Sequence, residues 1–393
     1  MDSRPSVKSL ETFWTRWLRF QSVNSTSRGS LLGLTNLTAN AGNHALMVDT
    51  GAMDLFCQLF DHLDIEIRNS CIFGVSNFSS NPNNHQMVLK AGCLPKLVAF
   101  LSCDDKNAQL RAVSALRGLS TDIDIRLDII DADALDPLLL LAKSDDVEVQ
   151  METLACLCNL SLSGCIGDNP LSFLDACNAQ NLIAFLCSAD STYRLFGAVA
   201  LGNIASSMKL QDTLIGAGAL TPLVTVSNAA DLETQRCIAY ALCNLAADPR
   251  RRADIVREGG LPALISMACS DDVSDQLAAM ATIRGIAALP ECRRDVYLGQ
   301  ITDALCLGVQ ADDVEIKYET AMILNAVSIN DDTKLEMAAN EAVMDCLLQE
   351  LRVEFDARVM RQAMACLANM SERLETHPHF RRHSVRDENS CRF

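Results

Sequence analysis

Asp231-Leu-Glu-Thr-Gln-Arg-Cys-Ile-Ala-Tyr-Ala-Leu-Cys-Asn244 starts with a side chain suited to cap a helix, runs through small and large apolar residues, and ends in a carboxamide. Counted outward from Asn244, the same slot holds Asn36, Asn77, Gly118, Asn159, Asn203, Asn244, Gly285, Asn325 and Asn369, at steps of 41, 41, 41, 44, 41, 41, 40 and 44. A second column keeps the same register. Asp64, Asp105, Asp146, Asp190, Asp231, Asp272, Asp313 and Asp356 precede their slot residues by 13 positions, or by 12 in the case of Asp313. Two chemically independent columns with one period identify a repeat array of about nine units, which is an elongated solenoid rather than two or three globular domains.

Each unit reads as three helices. After the Asn comes a polar turn, then a short helix ending in an apolar pair such as Val88-Leu89 or Ile255-Val256. Gly51, Gly92, Gly218 and Gly259 mark the next turn, where positive φ is required. The second helix often carries Pro in its first turn, at Pro95, Pro137, Pro222 and Pro262, where a missing N–H costs nothing. The Asp column starts the third helix, so much of the acidity is capping chemistry. Apolar residues two before and one after the slot, such as Val75 and Phe78 or Leu242 and Leu245, face the core.

The 393 residues carry a net charge of −17. Both ends are basic, with Lys/Arg in excess over residues 1–30 and 377–393, so the array between them is more acidic than the whole. That balance disfavours nucleic acid, whose phosphates it would repel, and favours partner segments that are basic. The 17 Cys fall mostly at apolar helix positions without paired spacing or a His cluster. Buried reduced thiols are expected, with no metal and no cofactor. The sequence holds no long apolar run, no lipid anchor signal and no signal core, so a cytoplasmic protein is expected, with the nucleus as an alternative.

Residues 1–30, Ser-rich and containing both tryptophans in Leu10-Glu-Thr-Phe-Trp-Thr-Arg-Trp-Leu-Arg-Phe20, read as an N-terminal cap helix and its lead. A presequence opposed by Asp2 and Glu11, or a truncated first repeat, are the alternatives. Residues 31–376 form the array. The extra residues around Gly164-Cys-Ile-Gly-Asp-Asn-Pro170 read as a loop, and residues 377–393 as a basic, disordered tail. Within it, Arg381-Arg-His-Ser384-Val has the pattern of a basophilic kinase site, and Ser384 is the candidate phosphosite.

The turn Glu258-Gly-Gly-Leu-Pro-Ala-Leu264 and the endings Leu157-Cys-Asn-Leu-Ser161 and Leu242-Cys-Asn-Leu-Ala246 resemble armadillo repeats over roughly residues 24–376. The resemblance implies an all-α, right-handed α-solenoid whose third helices line a concave groove. It also implies that the slot Asn residues form a ladder bonding the backbone of an extended peptide, as in relatives of importin-α and β-catenin. The turns look closest to the vacuolar armadillo adaptors and plant armadillo-only proteins. Where importin-α often places Trp, four residues before the slot, this chain has Leu32, Phe73, Ser114, Ala155, Val199, Tyr240, Ala281, Ala321 and Ala365.

The expected function is a non-catalytic adaptor, not an enzyme, binding extended partner segments through Asn36, Asn77, Asn159, Asn203, Asn244, Asn325 and Asn369. An amide pairs with both a peptide C=O and an N–H, each pairing contributing about 0.5–1.5 kcal/mol net. The longest uninterrupted run, Asn159, Asn203 and Asn244, is the expected main site, with Tyr240 beside it. Arg117 and Arg284, next to the two Gly interruptions, are candidate holders of acidic ligand side chains. Two further readings stay open. One is a divergent nuclear import receptor; the other is the substrate-targeting arm of a larger assembly such as a ubiquitin ligase.

Overall fold

The computed structural model describes residues 25–161, 179–228, 230–353 and 356–381. Among the described residues every regular element is helical. The chain divides into two compact units, Met1–Asn181 and Leu182–Phe393. The third helices of the first unit are α1 (Ser25–Thr38), α2 (Ile65–Ser79), α3 (Lys106–Ser120) and α4 (Val147–Ser161). Those of the second are α5 (Ser191–Ala205), α6 (Leu232–Ala246), α7 (Val273–Ala287), α8 (Val314–Ser328) and α9 (Ala357–Ser371). Within each unit, successive third helices pack side by side.

The Asp column does what its chemistry dictates. Each of the eight carboxylates accepts from a first-turn backbone N–H of its helix: Asp64 from Glu66, Asp105 from Asn107, Asp146 from Glu148, Asp190 from Thr192, Asp231 from Thr234, Asp272 from Ser274, Asp313 from Glu315 and Asp356 from Arg358. Hydrogen bonding to the Thr234 N–H holds the Asp231 carboxyl below its usual range. The core positions follow the same register. Val75, Phe78, Leu242 and Leu245 are fully buried, each contributing about 1.5–3 kcal/mol by removal from water. The turn glycines Gly51, Gly92, Gly218 and Gly259 have φ between 73° and 90°, and Asp133 (59°) and Gln300 (64°) occupy the same turn in their repeats.

A third column closes the C-terminal ends of eight of the nine third helices, where backbone carbonyls lack intrahelical partners. Eight residues after the slot stand His44, His85, Arg126, Gln211, Arg252, Arg293, Thr333 and His377. Each is hydrogen-bonded to the carbonyl six residues before it: Thr38, Ser79, Ser120, Ala205, Ala246, Ala287, Val327 and Ser371, at 2.7–3.2 Å. Two of these side chains also reach into the next repeat. Gln211 Nε2 bonds the Asn244 carbonyl (2.9 Å) and Arg252 Nη1 the Gly285 carbonyl (3.1 Å). His44 is buried with both ring nitrogens engaged: Nε2 donates to Thr38 O, so Nδ1 accepts from Asn84 Nδ2 at 2.8 Å.

The ends differ from the expected boundaries. Helix α1 runs through residue 30 without a break, and residues 1–24, with most of the expected cap, lie outside the described residues. Residues 377–381 are helical, and His377 repeats the carbonyl bond seen after the other described slots. The expected loop at 164–170 and Ser384 also lie outside the described residues.

Candidate functional site

The slot amides are oriented by hydroxyl groups at the ends of neighbouring third helices. Asn77 Nδ2 donates to Thr38 Oγ1 (2.8 Å), Asn159 Nδ2 to Ser120 Oγ (3.0 Å) and Asn369 Nδ2 to Ser328 Oγ (3.0 Å). Each of those hydroxyls spends its own proton on a backbone carbonyl of its helix, Thr35, Arg117 and Asn325 respectively, so it can only accept from the amide. Asn244 Nδ2 instead donates to the Gly202 carbonyl (2.9 Å). One N–H of each of these amides is therefore spent in the joint between repeats, which leaves the second N–H and the carbonyl. Oδ1 of Asn77, Asn159 and Asn244 accepts no bond among the described residues and reaches solvent. Asn36 is exposed, and Asn203 is half-buried.

Asn325 departs from the column. It stands 12 rather than 13 residues after its cap in a third helix of the same length, which rotates it by about 100° from the others. Its Nδ2 donates to Gln362 Oε1 (2.7 Å) and its Oδ1 accepts from Asn369 (3.0 Å), so this pair is occupied with itself.

The two glycine interruptions have different causes. A Cβ on Gly118 would lie 2.4 Å from the Ser79 carbonyl oxygen, so α2 and α3 meet there by backbone contact. At Gly285 a Cβ would meet the Arg252 guanidinium at 3.0 Å, the same group that ties the ends of α6 and α7 together.

The neighbouring cations are already paired. Arg117 Nη1 bonds Glu152 Oε1 at 2.5 Å and Arg284 bonds Glu319, in each case from one third helix to the next. They bridge successive third helices within each unit. Tyr240 donates to Asp275, a buried carboxylate that Arg236 also contacts at 2.5 Å. That hydrogen bond pushes the Tyr240 phenol up. Arg111 lies over the Phe73 ring, 4.2 Å from its centroid, so the aromatic residue four before the slot in the second repeat is covered by the chain's own cation. The slot-minus-four position is small and half-buried at Ser114, Ala155, Ala281 and Ala365, and buried at Ala321.

The Arg250–Arg257 segment with Arg293 and Arg294 is partnered too. Arg250 and Arg251 pair with Asp248 and Asp212, Arg257 with Asp254, and Arg294 with Asp332, while Arg252 and Arg293 bond helix-end carbonyls. Near Tyr240 an open cavity of about 570 Å³ is lined by Arg236, Gln235, Ser266, Ser270 and Asp275 among others. Among the described residues no cluster of three or more His, Cys, Asp or Glu is placed to hold a metal ion, and no helix is long and apolar enough to cross a membrane.

The hydroxyl column at slot plus two, or plus three in the case of Ser328, and the donor column at slot plus eight were missed by sequence reasoning. The first was visible as Asn-Leu-Thr38, Asn-Phe-Ser79 and Asn-Leu-Ser161, which match a glycosylation sequon.

The sequence model described as "Armadillo/beta-catenin-like repeat" matches residues 81–121 and 122–162. No curated protein matches. Among solved structures, an engineered protein is 25% identical with a TM-score of 0.75, covering 93% of this chain and 89% of its own. A designed armadillo repeat protein is 24% identical with a TM-score of 0.54, covering 60% of this chain and 99% of its own. Another, in complex with the peptide (KR)4, is 24% identical with a TM-score of 0.53 and the same coverage. With its helical triplets and glycine turns in one register, the chain is an all-α solenoid, and its residues 81–162 match the armadillo-repeat family.

Proposed function

We propose that the chain is a non-catalytic adaptor that binds an extended segment of a partner protein along the face of its third helices, with the slot asparagines as backbone acceptors. The armadillo solenoid is typically a binding scaffold, and a designed member is titled as a complex with the peptide (KR)4. The observation that carries the reading is the set of unengaged Asn carbonyls at Asn77, Asn159 and Asn244, each amide being oriented by one N–H bonded to the preceding third helix. A fixed acceptor loses little conformational freedom when a peptide N–H arrives, and each such bond contributes about 0.5–1.5 kcal/mol net. Several in succession are needed, and side chains between them would set specificity. The net charge of −17 favours a basic segment by long-range attraction.

The import-receptor reading is the weaker one for a specific reason. Phe73 is covered by Arg111 and Tyr240 is tied to Asp275, so the aromatic positions that would flank a Lys side chain are engaged. The adaptor reading is tested by affinity purification with the full chain and with groove-filling Ala155→Arg and Ala281→Arg variants. Both sites are half-buried and small, and neither takes part in the amide bonds. Loss of the same partners from both variants with helicity intact supports the proposal. Retention of every partner by folded variants refutes it.

A further inference from the structure

The second helices of the last two described repeats, Thr302–Gln310 and Glu341–Val353, pack directly against each other. Across that contact Cys306 Sγ and Cys346 Sγ are 3.0 Å apart, well inside the ~3.5–4.0 Å at which non-bonded heavy atoms settle. Positions one and two repeats earlier, Ile265 and Val224, are buried apolar packing residues. A plain packing pair would need no sulfur. A shared metal ion is excluded by spacing, since thiolates at ~2.3 Å from one tetrahedral zinc lie further apart than 3.0 Å.

We propose that Cys306 and Cys346 are a redox-sensitive pair, reduced in the state described here and converted by a low-molecular-weight disulfide into an inter-repeat disulfide. Cys306 is partly exposed and Cys346 is buried, so Cys306 is the thiol that oxidant reaches. Its thiolate attacks the small disulfide, forming a mixed disulfide and releasing one thiol. The Cys346 thiolate then attacks the Cys306 sulfur and releases the second thiol. The two protein sulfurs lose two electrons and two protons, and the small disulfide gains both. Closure to the ~2.05 Å bond requires each sulfur to move by only about 0.5 Å. Cys57 and Cys93 also face each other across adjacent second helices, but both are buried, whereas Cys306 is partly exposed. The Cys306–Cys346 bond would staple the eighth and ninth repeats.

The test uses the full reduced chain incubated under native conditions with oxidised glutathione, alkylated, and digested with trypsin without reduction. The expected product joins the peptides Asp295–Lys317 and Leu335–Arg352, each of which contains a single Cys. It should form before any other intramolecular disulfide, revert with dithiothreitol, and be absent from the Cys306→Ser variant. Oxidised wild type should resist proteolysis between these peptides at least tenfold longer than reduced protein. The proposal is overturned if glutathione stays on Cys306 as a mixed disulfide, or if the linked peptides form no faster than in denaturant-unfolded chain. Both outcomes are read on wild type and do not depend on a variant that folds.

Discussion

Asn159→Asp and Asn244→Asp make the same chemical change at equivalent positions of α4 and α6, yet the structure requires them to differ. Each replaces the inward NH2 by an oxygen and keeps the outward acceptor. At Asn159 the partner is the Ser120 hydroxyl, which can rotate away from the Arg117 carbonyl and donate to the new carboxylate. One neutral bond of about 1 kcal/mol is exchanged for a charge-assisted one of about 1.5–3 kcal/mol, so the net cost should stay below about 1 kcal/mol. At Asn244 the partner is the Gly202 carbonyl, which has no proton to give. The variant loses about 0.5–1.5 kcal/mol of hydrogen bond and adds about 1–3 kcal/mol for two acceptors facing each other, a total of about 2–4 kcal/mol. The unfavourable placement of a negative charge near a helix C-terminus, about 0.3–1 kcal/mol, is common to both and cancels in the comparison. Denaturation midpoints followed by helical circular dichroism, with hydrogen exchange localising the change to the last turn of α5, measure the difference. An Asn159→Asp chain as unstable as Asn244→Asp would refute the assignment of inward NH2 and outward carbonyl.

Four other outcomes follow from single observations. Gly118→Ala should destabilise by about 1–3 kcal/mol in thermal unfolding, because its Cβ would meet the rigid Ser79 carbonyl. Gln300→Gly should stabilise by about 1 kcal/mol, since its φ of 64° strains a residue with a Cβ; an unchanged melting temperature would show that the turn relaxes. Arg252→Met should cost about 1–3 kcal/mol through two lost carbonyl bonds, and a double-mutant cycle with Gly285→Ala should show coupling because the guanidinium fills the space beside Gly285. Asp231 has a folded pKa lowered chiefly by the Thr234 N–H, so its stabilisation is complete above the unfolded carboxylate value near ~3.9 and is lost as pH falls through the lower folded value. Asp231→Asn, which still caps, should flatten that part of a melting-temperature profile against pH.

The elements that repeat by identity were legible in the sequence, and those that repeat by function were not. Asp caps and turn glycines can be read because one residue type does one job, and all eight caps and all four positive-φ glycines stand where the register puts them. Asp133 and Gln300 take the same backbone conformation without being glycine, so the residue type gives no sign of it. His44, Arg126, Gln211 and Thr333 share only the ability to donate, and their common target, the carbonyl six residues earlier, becomes visible only when the helix end is in view. Arg117 and Arg284 looked available for a ligand because Glu152 and Glu319 lie 35 residues away in sequence, a distance that adjacent repeats cancel. The 12-residue spacing before Asn325 was countable in the sequence. Its consequence, a rotation off the column, required the helix length to be known.

The direction of the amides constrains the ligand more than their number does. An Asn that has committed one N–H to the neighbouring repeat is held in orientation and keeps its carbonyl as an acceptor, as at Asn77, Asn159 and Asn244. A β-strand-like segment offers an outward N–H at every second residue, about 6.6 Å apart, while helices pack at 8–10 Å. Consecutive slots therefore cannot engage consecutive outward N–H groups without drift. For the proposed extended partner, affinity should therefore depend on which short register carries its donors rather than on its total length.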